Sequence, residues 1–202
     1  MCYAAPRLRH LNPDMDLIPT PSQTIGPFFG IELTTDEHCV PCIAGPQAKG
    51  ERVWITFCVL DGDDTPVDDA MLEVWQADSN GKYNHPDDPQ PGARAADWTG
   101  FGRMATGEDG TCVLETIKPG CVRHNTIQAP HLTVAVFARG MLKHLFTRAY
   151  FADDAANEND PVLSLVPADR RGTLMVRPDP APGRWHFDVR LQGDRETVFF
   201  DV

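Results

Sequence analysis

Short stretches in which apolar and polar residues alternate are the feature that most constrains how this chain folds. The clearest is 185–191, WHFDVRL, where every second side chain is apolar. Successive side chains of a β-strand point to opposite faces, so this stretch predicts a strand with one buried face. Segment 52–61, RVWITFCVLD, is apolar on both faces and predicts a strand covered on each side. Further strands are predicted at 71–76, 111–117, 132–137, 145–151 and 197–202.

Proline and glycine separate these stretches and leave little room for helix. The chain has 18 Pro and 16 Gly among 202 residues, a share above the roughly 12% of average usage. Segments 33–51 and 84–97 are predicted as irregular surface connections. Segment 153–159 is predicted as one or two helical turns with Asp153 as the N-cap. Short strands at this spacing are typical of an all-β sandwich or barrel, and nothing in the sequence marks a domain boundary.

The charge balance narrows the classes of function. The chain has 18 Lys and Arg against 29 Asp and Glu, a formal net charge of −11. This balance argues against nucleic acid as a partner, because binding to phosphates needs clustered cations. The longest apolar run, 132–138, is far shorter than the ~20 residues of a membrane-spanning helix. The start of the chain lacks the apolar segment of a signal peptide, so we expect a cytoplasmic protein whose six cysteines are reduced.

Two cysteines have the spacing of some metal and redox sites. Cys39 and Cys42 form a CxxC sequence, but no second Cys/His pair at matching spacing completes a four-ligand zinc site. A redox CxxC opens a helix, whereas this one lies in a proline-interrupted loop. We therefore favour an ordinary loop here.

Two other polar side chains lie beside predicted strands. Tyr83 follows an Asn80-Gly81 turn, and His131 precedes the strand 132–137. A single Tyr in a loop and a single His at a strand start are most often structural residues. Composition and spacing give neither of them a function.

Seven segments carry a family resemblance. In chain order they are 20–27 TPSQTIGP, 72–83 LEVWQADSNGKY, 117–120 IKPG, 129–131 APH, 137–140 FARG, 148–154 RAYFADD and 196–201 ETVFFD. Together they resemble the intradiol ring-cleavage dioxygenases, and most closely the alpha-subunit type of the heteromeric members that act on protocatechuate. The likeness runs from about residue 16 to residue 202. It implies a single-domain β-sandwich with long loops and little helix.

The resemblance also implies a chemistry, from which this chain departs. Catalytic chains of the family use O2 and non-haem Fe(III), held by two Tyr and two His, to cleave protocatechuate between its hydroxyls. Tyr83 and His131 match two of these ligand positions, but Val122 and Thr133 occupy the other two. Gln128 stands where the catalytic chains have an arginine. Valine has no donor atom and a neutral Thr hydroxyl is a poor substitute for imidazole, so we expect a vestigial site without metal or catalytic residues.

For this subunit type, the resemblance implies a role beside a partner. A homologous, iron-bearing beta subunit pairs with it, the αβ units build a higher oligomer, and the active site lies at the interface. By motif match, Thr24, Gly26 and Pro27 line the partner's pocket, and Arg139 holds the substrate carboxylate with its charged, paired donors. From the residues alone, a plain turn at Gly26-Pro27 and a surface ion pair at Arg139 are the favoured interpretations.

Two alternative functions stay open. The chain could be a subunit of a single-chain-type intradiol catechol dioxygenase, against which Val122 and Thr133 argue. It could also be a non-catalytic β-sandwich used for binding or structural association, which co-purification with an iron-bearing partner would distinguish. Residues 1–14 match nothing in the family, and we expect a disordered tail or an over-long start there, followed by the dioxygenase-like domain at 15–202.

Overall fold

The computed structural model describes residues 25–90, 97–123 and 125–201, so the expected tail at 1–14 lies outside it. The described strands are β1 Arg52–Leu60, β2 Met71–Gln76, β3 Phe101–Ala105, β4 Thr111–Ile117, β5 Val122–Arg123, β6 Ile127–Gln128, β7 His131–Phe137, β8 Leu145–Phe151, β9 Met175–Pro178 and β10 Arg184–Arg190. Among the described residues, helix is limited to α1, Phe28–Glu32, and to the 3₁₀ segments Ala155–Asn159, Leu163–Leu165 and Arg171–Leu174. None of the helices in these ranges is long and apolar enough to cross a membrane.

The strands form two layers that β9 joins. One layer has the order β3-β2-β7-β8 and the other β10-β1-β4. β9 begins beside β8, with Met175 opposite Tyr150, and ends beside β10, with Arg177 opposite His186. The two layers face each other across a shared core, so the predicted all-β, sandwich-type fold is confirmed.

Inward side chains of both layers build that core. Every second residue of β1, from Val53 to Val59, is completely buried, and the apolar face of β10 is buried with it. Phe151 of β8 and Trp185 of β10 connect the layers, edge to face, with ring centroids 5.0 Å apart. Because Phe57 has no exposed surface, truncating it to alanine would leave a cavity that costs about 3–5 kcal/mol of stability.

A smaller core lies on the outer face of the first layer. Its buried members are Ala129, Tyr150, Leu163, Val166 and Leu174. The 3₁₀ segments between β8 and β9 supply Leu163 and Leu174, Val166 directly follows one of them, and this region covers part of β8. Side chains that point away from the main core are therefore still buried at this place.

Two strand predictions need correction. The second face of β1 is only half-buried, because single side chains such as Arg184, lying over the Trp54 ring, cover it in place of a third layer. Residues 197–200 form no strand. Thr197 donates its amide to the Arg190 carbonyl in the second layer, whereas Phe200 donates to Phe146 in the first, so the segment crosses between layers.

Two predictions outside the strands also need correction. The short helical segment begins later than predicted, and Asp154 in place of Asp153 caps it by accepting the Ala156 amide at 3.0 Å. Segment 33–51 is more than a surface connection. Ile43 and Ala44 are buried in the main core, where an extended backbone can bridge to neighbouring strands.

Candidate functional site

The ligand-like positions of β7 lie on the outer face of the first layer. Leu132 and Val134 point into the main core, so His131 and Thr133 point the other way. Across the sheet, Thr133 lies opposite Trp75 of β2 on one side and opposite Arg148 of β8 on the other. The alternation of side chains thus gathers polar and aromatic groups on one outward patch.

A tight turn brings Tyr83 to this patch. Gly81 in the turn has a φ of +80°, and a Cβ there would lie 1.9 Å from the Cys121 carbonyl oxygen, so only glycine fits. The Asp78 carboxylate fixes the turn by accepting the backbone amides two and four residues later. The Tyr83 ring then lies parallel to the Trp75 ring, with centroids 6.0 Å apart.

His131 is held as a neutral imidazole beneath Tyr83. It is 1% exposed, and its Nδ1 lies 2.7 Å from the Ala129 carbonyl oxygen, which can only accept, so Nδ1 carries the proton. Burial, followed by the charge of Arg148, lowers the pKa of His131 to about 4. The Nε2 lone pair is left to the Tyr83 hydroxyl, 3.5 Å away. Burial also raises the pKa of Tyr83, which keeps the phenol neutral.

Arg148 places a guanidinium beside these two side chains. Its Nη1 donates to Gln128 Oε1 at 2.8 Å and lies 3.4 Å from the Tyr150 hydroxyl. Tyr150 in turn donates to the buried Asp160 carboxylate at 3.2 Å. Neither composition nor motif predicted a role for Arg148, Tyr150 or Asp160. For Arg148, the sequence offers one signal, a charged residue in the middle of the predicted strand 145–151.

A cleft of about 530 Å³ opens over this patch. Trp75, Tyr83 and Arg148 line it, and so do Val122 and Gln128, which lie opposite each other in the β5–β6 pair. The structure therefore brings together four predicted positions, Tyr83, His131, Val122 and Gln128. Thr133 lies in the row between Trp75 and Arg148.

The residues of this cleft do not fit ferric iron. Tyr83 and His131 offer one phenol and one imidazole, Val122 offers no donor atom, and Thr133 offers a neutral hydroxyl. Burial favours the protonated phenol over the phenolate that hard Fe(III) prefers.

The second predicted region is an exposed corner. Ile25 donates its amide to Met141 at 2.7 Å and accepts the Gly140 amide at 3.0 Å, which brings Gly26 and Pro27 against the turn that carries Arg139. The Arg139 side chain is 66% exposed, and its Nε lies 3.1 Å from Asp69 Oδ2. Thr24, the remaining predicted residue of this region, lies outside the described residues.

Apolar side chains flank this corner. Phe28 and Ile31 of α1 are 75% and 59% exposed, and Leu142, which follows the Arg139 turn, is 68% exposed. Large exposed apolar groups that lie together mark a surface for interaction with another molecule. We call this surface, made of Gly26, Pro27, Phe28, Ile31, Arg139 and Leu142, the corner surface.

The CxxC loop is separate from both regions. Cys39 and Cys42 are free thiols. Within the part of the chain that the structure describes, no three or more His, Cys, Asp or Glu side chains lie close enough together to hold a metal ion.

Comparison with known proteins supplies the family. A model of the family described as "Dioxygenase" matches residues 24–193. In fold, the chain is similar to an intradiol ring-cleavage dioxygenase from Tetranychus urticae, with a TM-score of 0.59 at 19% identity over 85% of this chain and 93% of that one. The chain belongs to the intradiol dioxygenase family, whose members are oxidoreductases that use non-haem iron.

Within the family, sequence identity separates two kinds of relative. The protocatechuate 3,4-dioxygenase alpha chain of Burkholderia cepacia is 46% identical over 196 residues, covering 91% of this chain and 97% of that protein. The beta chain from the same organism is 32% identical over 160 residues, covering 77% of this chain and 65% of that protein. This chain is therefore more similar to the alpha than to the beta type.

Proposed function

We propose that this chain is the alpha subunit of a heteromeric protocatechuate 3,4-dioxygenase and holds no metal of its own. Its partner is a homologous beta subunit that carries the Fe(III), and the active site lies where the two chains meet. The pair incorporates both atoms of O2 and cleaves protocatechuate between its two hydroxyl-bearing carbons. The product is 3-carboxy-cis,cis-muconate.

The observation that carries the proposal is the corner surface. It presents one guanidinium, a Gly26-Pro27 backbone without long side chains, and the exposed apolar groups of Phe28, Ile31 and Leu142. A surface of this kind suits a partner chain that covers the apolar groups and leaves the guanidinium facing a shared pocket. The existence of separate alpha and beta chains among the relatives supports a heteromer.

The cleft also supports a complex in which the partner holds the iron and this chain does not. Its side chains do not fit Fe(III), whereas the chemistry of the family needs that ion. Placing the iron in the partner resolves this conflict, and it leaves substrate positioning as the part that this chain plays.

Arg139 is suited to hold the substrate carboxylate. Its present partner, Asp69, forms an exposed ion pair, and such pairs contribute only about 0–1 kcal/mol. A substrate carboxylate can therefore replace Asp69 at little cost. In a site closed by the partner, excluded from water, the same guanidinium would bind that carboxylate more strongly.

Replacement of Arg139 in the assembled αβ complex tests the proposal. A charge-assisted hydrogen bond contributes about 1.5–3 kcal/mol, so Arg139→Ala should lower kcat/KM for protocatechuate about 10–150-fold. Catechol, which lacks the carboxylate, should be affected much less. Arg177→Ala is a matched control, because Arg177 is 59% exposed and also paired with a carboxylate, that of Asp188. An equal loss on both substrates, or the same loss in the control, would remove Arg139 from the substrate site.

A further inference from the structure

Arg148 is a partly buried cation with no carboxylate partner among the described residues. Its hydrogen bonds, to Gln128 and Tyr150, both use Nη1. Nε and Nη2 have no acceptor in the described ranges. Neither atom is among the buried polar atoms that lack a partner, so both are accessible from outside. Because Arg148 lines the cleft, these donors are available to a molecule that enters it.

The surroundings of Arg148 orient it for an anion. The Gln128 side chain holds one end of the guanidinium at 2.8 Å, which fixes the fork of remaining donors. Asp88 also lines the cleft, but its two carboxylate oxygens accept the amides of Tyr83 at 2.6 Å and Gln90 at 2.8 Å. That negative charge is bound to the loop backbone and leaves the guanidinium free.

The walls of the cleft suit an aromatic ring. Trp75 and Tyr83 lie parallel along one side, and Val122 adds an apolar side chain. Ring faces and edges pack well against a further ring. A volume of about 530 Å³ lies within the range of small-molecule sites and holds a single-ring compound with room to spare.

We propose that this cleft is a binding site for a small aromatic carboxylate, which places its carboxylate on Arg148 and its ring against Trp75 and Tyr83. The proposal rests on the geometry of this chain and goes beyond the function proposed above. It requires no chemical step. The chain binds the compound and releases it unchanged.

Titration of the full chain with 4-hydroxybenzoate tests the site. We expect saturable binding of one molecule per chain, measured by tryptophan fluorescence or calorimetry. Arg148→Gln should weaken it at least tenfold, because the charged donors are lost. The uncharged 4-hydroxybenzyl alcohol should bind at least tenfold more weakly than the carboxylate. Absence of saturable binding, or equal affinity for the acid and the alcohol, would overturn the proposal.

Two further variants separate the site from general effects. Thr133→Asp puts a carboxylate opposite Arg148 on the neighbouring strand, so it should block binding although Arg148 remains. Arg184→Gln removes a cation that lies over Trp54, away from the cleft, and should leave the affinity unchanged. If Arg184→Gln weakens binding as much as Arg148→Gln does, the site is not the cleft.

The assembled αβ complex provides a second measurement, which holds if the isolated chain aggregates. In equilibrium dialysis, the wild-type complex should bind two molecules of 4-hydroxybenzoate per αβ pair, one in the cleft and one in the shared active site. The complex with Arg148→Gln should bind only the one in the shared active site. Equal stoichiometry in the two complexes would overturn the proposal. If no complex forms, the function proposed above fails, while the titration of the full chain still decides on the cleft.

Discussion

The cleft and the corner surface both contain an arginine and apolar side chains, but they differ in how far their polar groups are buried and paired within the chain. At the cleft, His131 and Asp160 are buried and have hydrogen-bond partners within the chain, whereas Arg148 keeps donors that no described residue accepts. On the corner surface, Arg139 is mostly exposed and makes one solvent-accessible ion pair. Groups that a chain satisfies internally stabilise its fold, whereas an exposed guanidinium among uncovered apolar groups is available to another molecule.

The two regions show that a residue's match to a family motif does not determine its role in this chain. Tyr83 and His131 occupy positions that match metal ligands of the family, yet here they bond to each other and to the backbone. The matching motif predicted their proximity but not a function. Arg139 has few contacts of its own, and for that reason its surface is the better candidate for a role in an enzyme.

The largest effect should follow from a charge on the corner surface. Phe28→Asp would bury an uncompensated charge between the subunits, at a cost of about 3–5 kcal/mol, so association should weaken about 10²–10⁴-fold. Sedimentation of mixed alpha and beta chains measures this. Leu165→Asp is the matched control, because Leu165 is 80% exposed but lies on a 3₁₀ segment remote in sequence from the corner. Equal weakening by both variants would show that the corner surface is not the interface.

A smaller effect should follow from acid, and it belongs to the cleft. The pKa of His131 is about 4 in the folded chain, below its usual value of 6.5, so the unfolded chain binds the proton more tightly. The stabilisation from the neutral imidazole is complete above pH 6.5, falls as the pH drops, and is lost near pH 4. A difference of this size corresponds to about 3 kcal/mol.

Denaturant unfolding of the wild type and of His131→Asn at several pH values isolates this contribution. Other groups titrate in both proteins, so the difference between their free energies of unfolding should fall by about 3 kcal/mol from pH 7 to pH 4. A pH-independent difference would show that His131 is not held neutral by its surroundings. Arg139→Ala should show no such trend, because its guanidinium does not titrate in this range.

The strands of the sandwich were predictable where the pattern is local. In β10, apolar and polar residues alternate along the chain itself, and the burial of the strand follows that alternation. β3, Phe101–Ala105, was missed because its Gly102 belongs to no apolar pattern. A Cβ there would lie 3.0 Å from both Ile43 and Leu114, so close packing in three dimensions explains this glycine. β9 was missed because it is short, ends at a proline and changes partner layer halfway.

The sequence predicted which residues lie at the site, but not the hydrogen bonds among them. The family motifs predicted that Tyr83, Val122, Gln128, His131 and Thr133 lie near one another. Arg148 could not be placed there, because its contact with Gln128 spans 20 residues and depends on the register between β7 and β8. The corner surface was likewise visible only as separate motifs until the backbone bonds of Ile25 joined them.

The smallest effect should follow from removal of the Tyr83 hydroxyl. Its contact with His131 Nε2 is 3.5 Å long, at the limit of a hydrogen bond, so its loss should cost less than about 1 kcal/mol of stability. Tyr83→Phe keeps the ring that lies parallel to Trp75 and leaves the apolar packing intact. If the iron of the αβ complex belongs to the beta subunit, the iron content and visible absorbance of the complex should not change, whereas loss of a tyrosinate ligand would remove a charge-transfer band. Metal analysis and an absorption spectrum of the two complexes measure this. A large loss of iron in the Tyr83→Phe complex would assign Tyr83 to a metal site. The cleft, and not the corner surface, would then be the catalytic region of this chain.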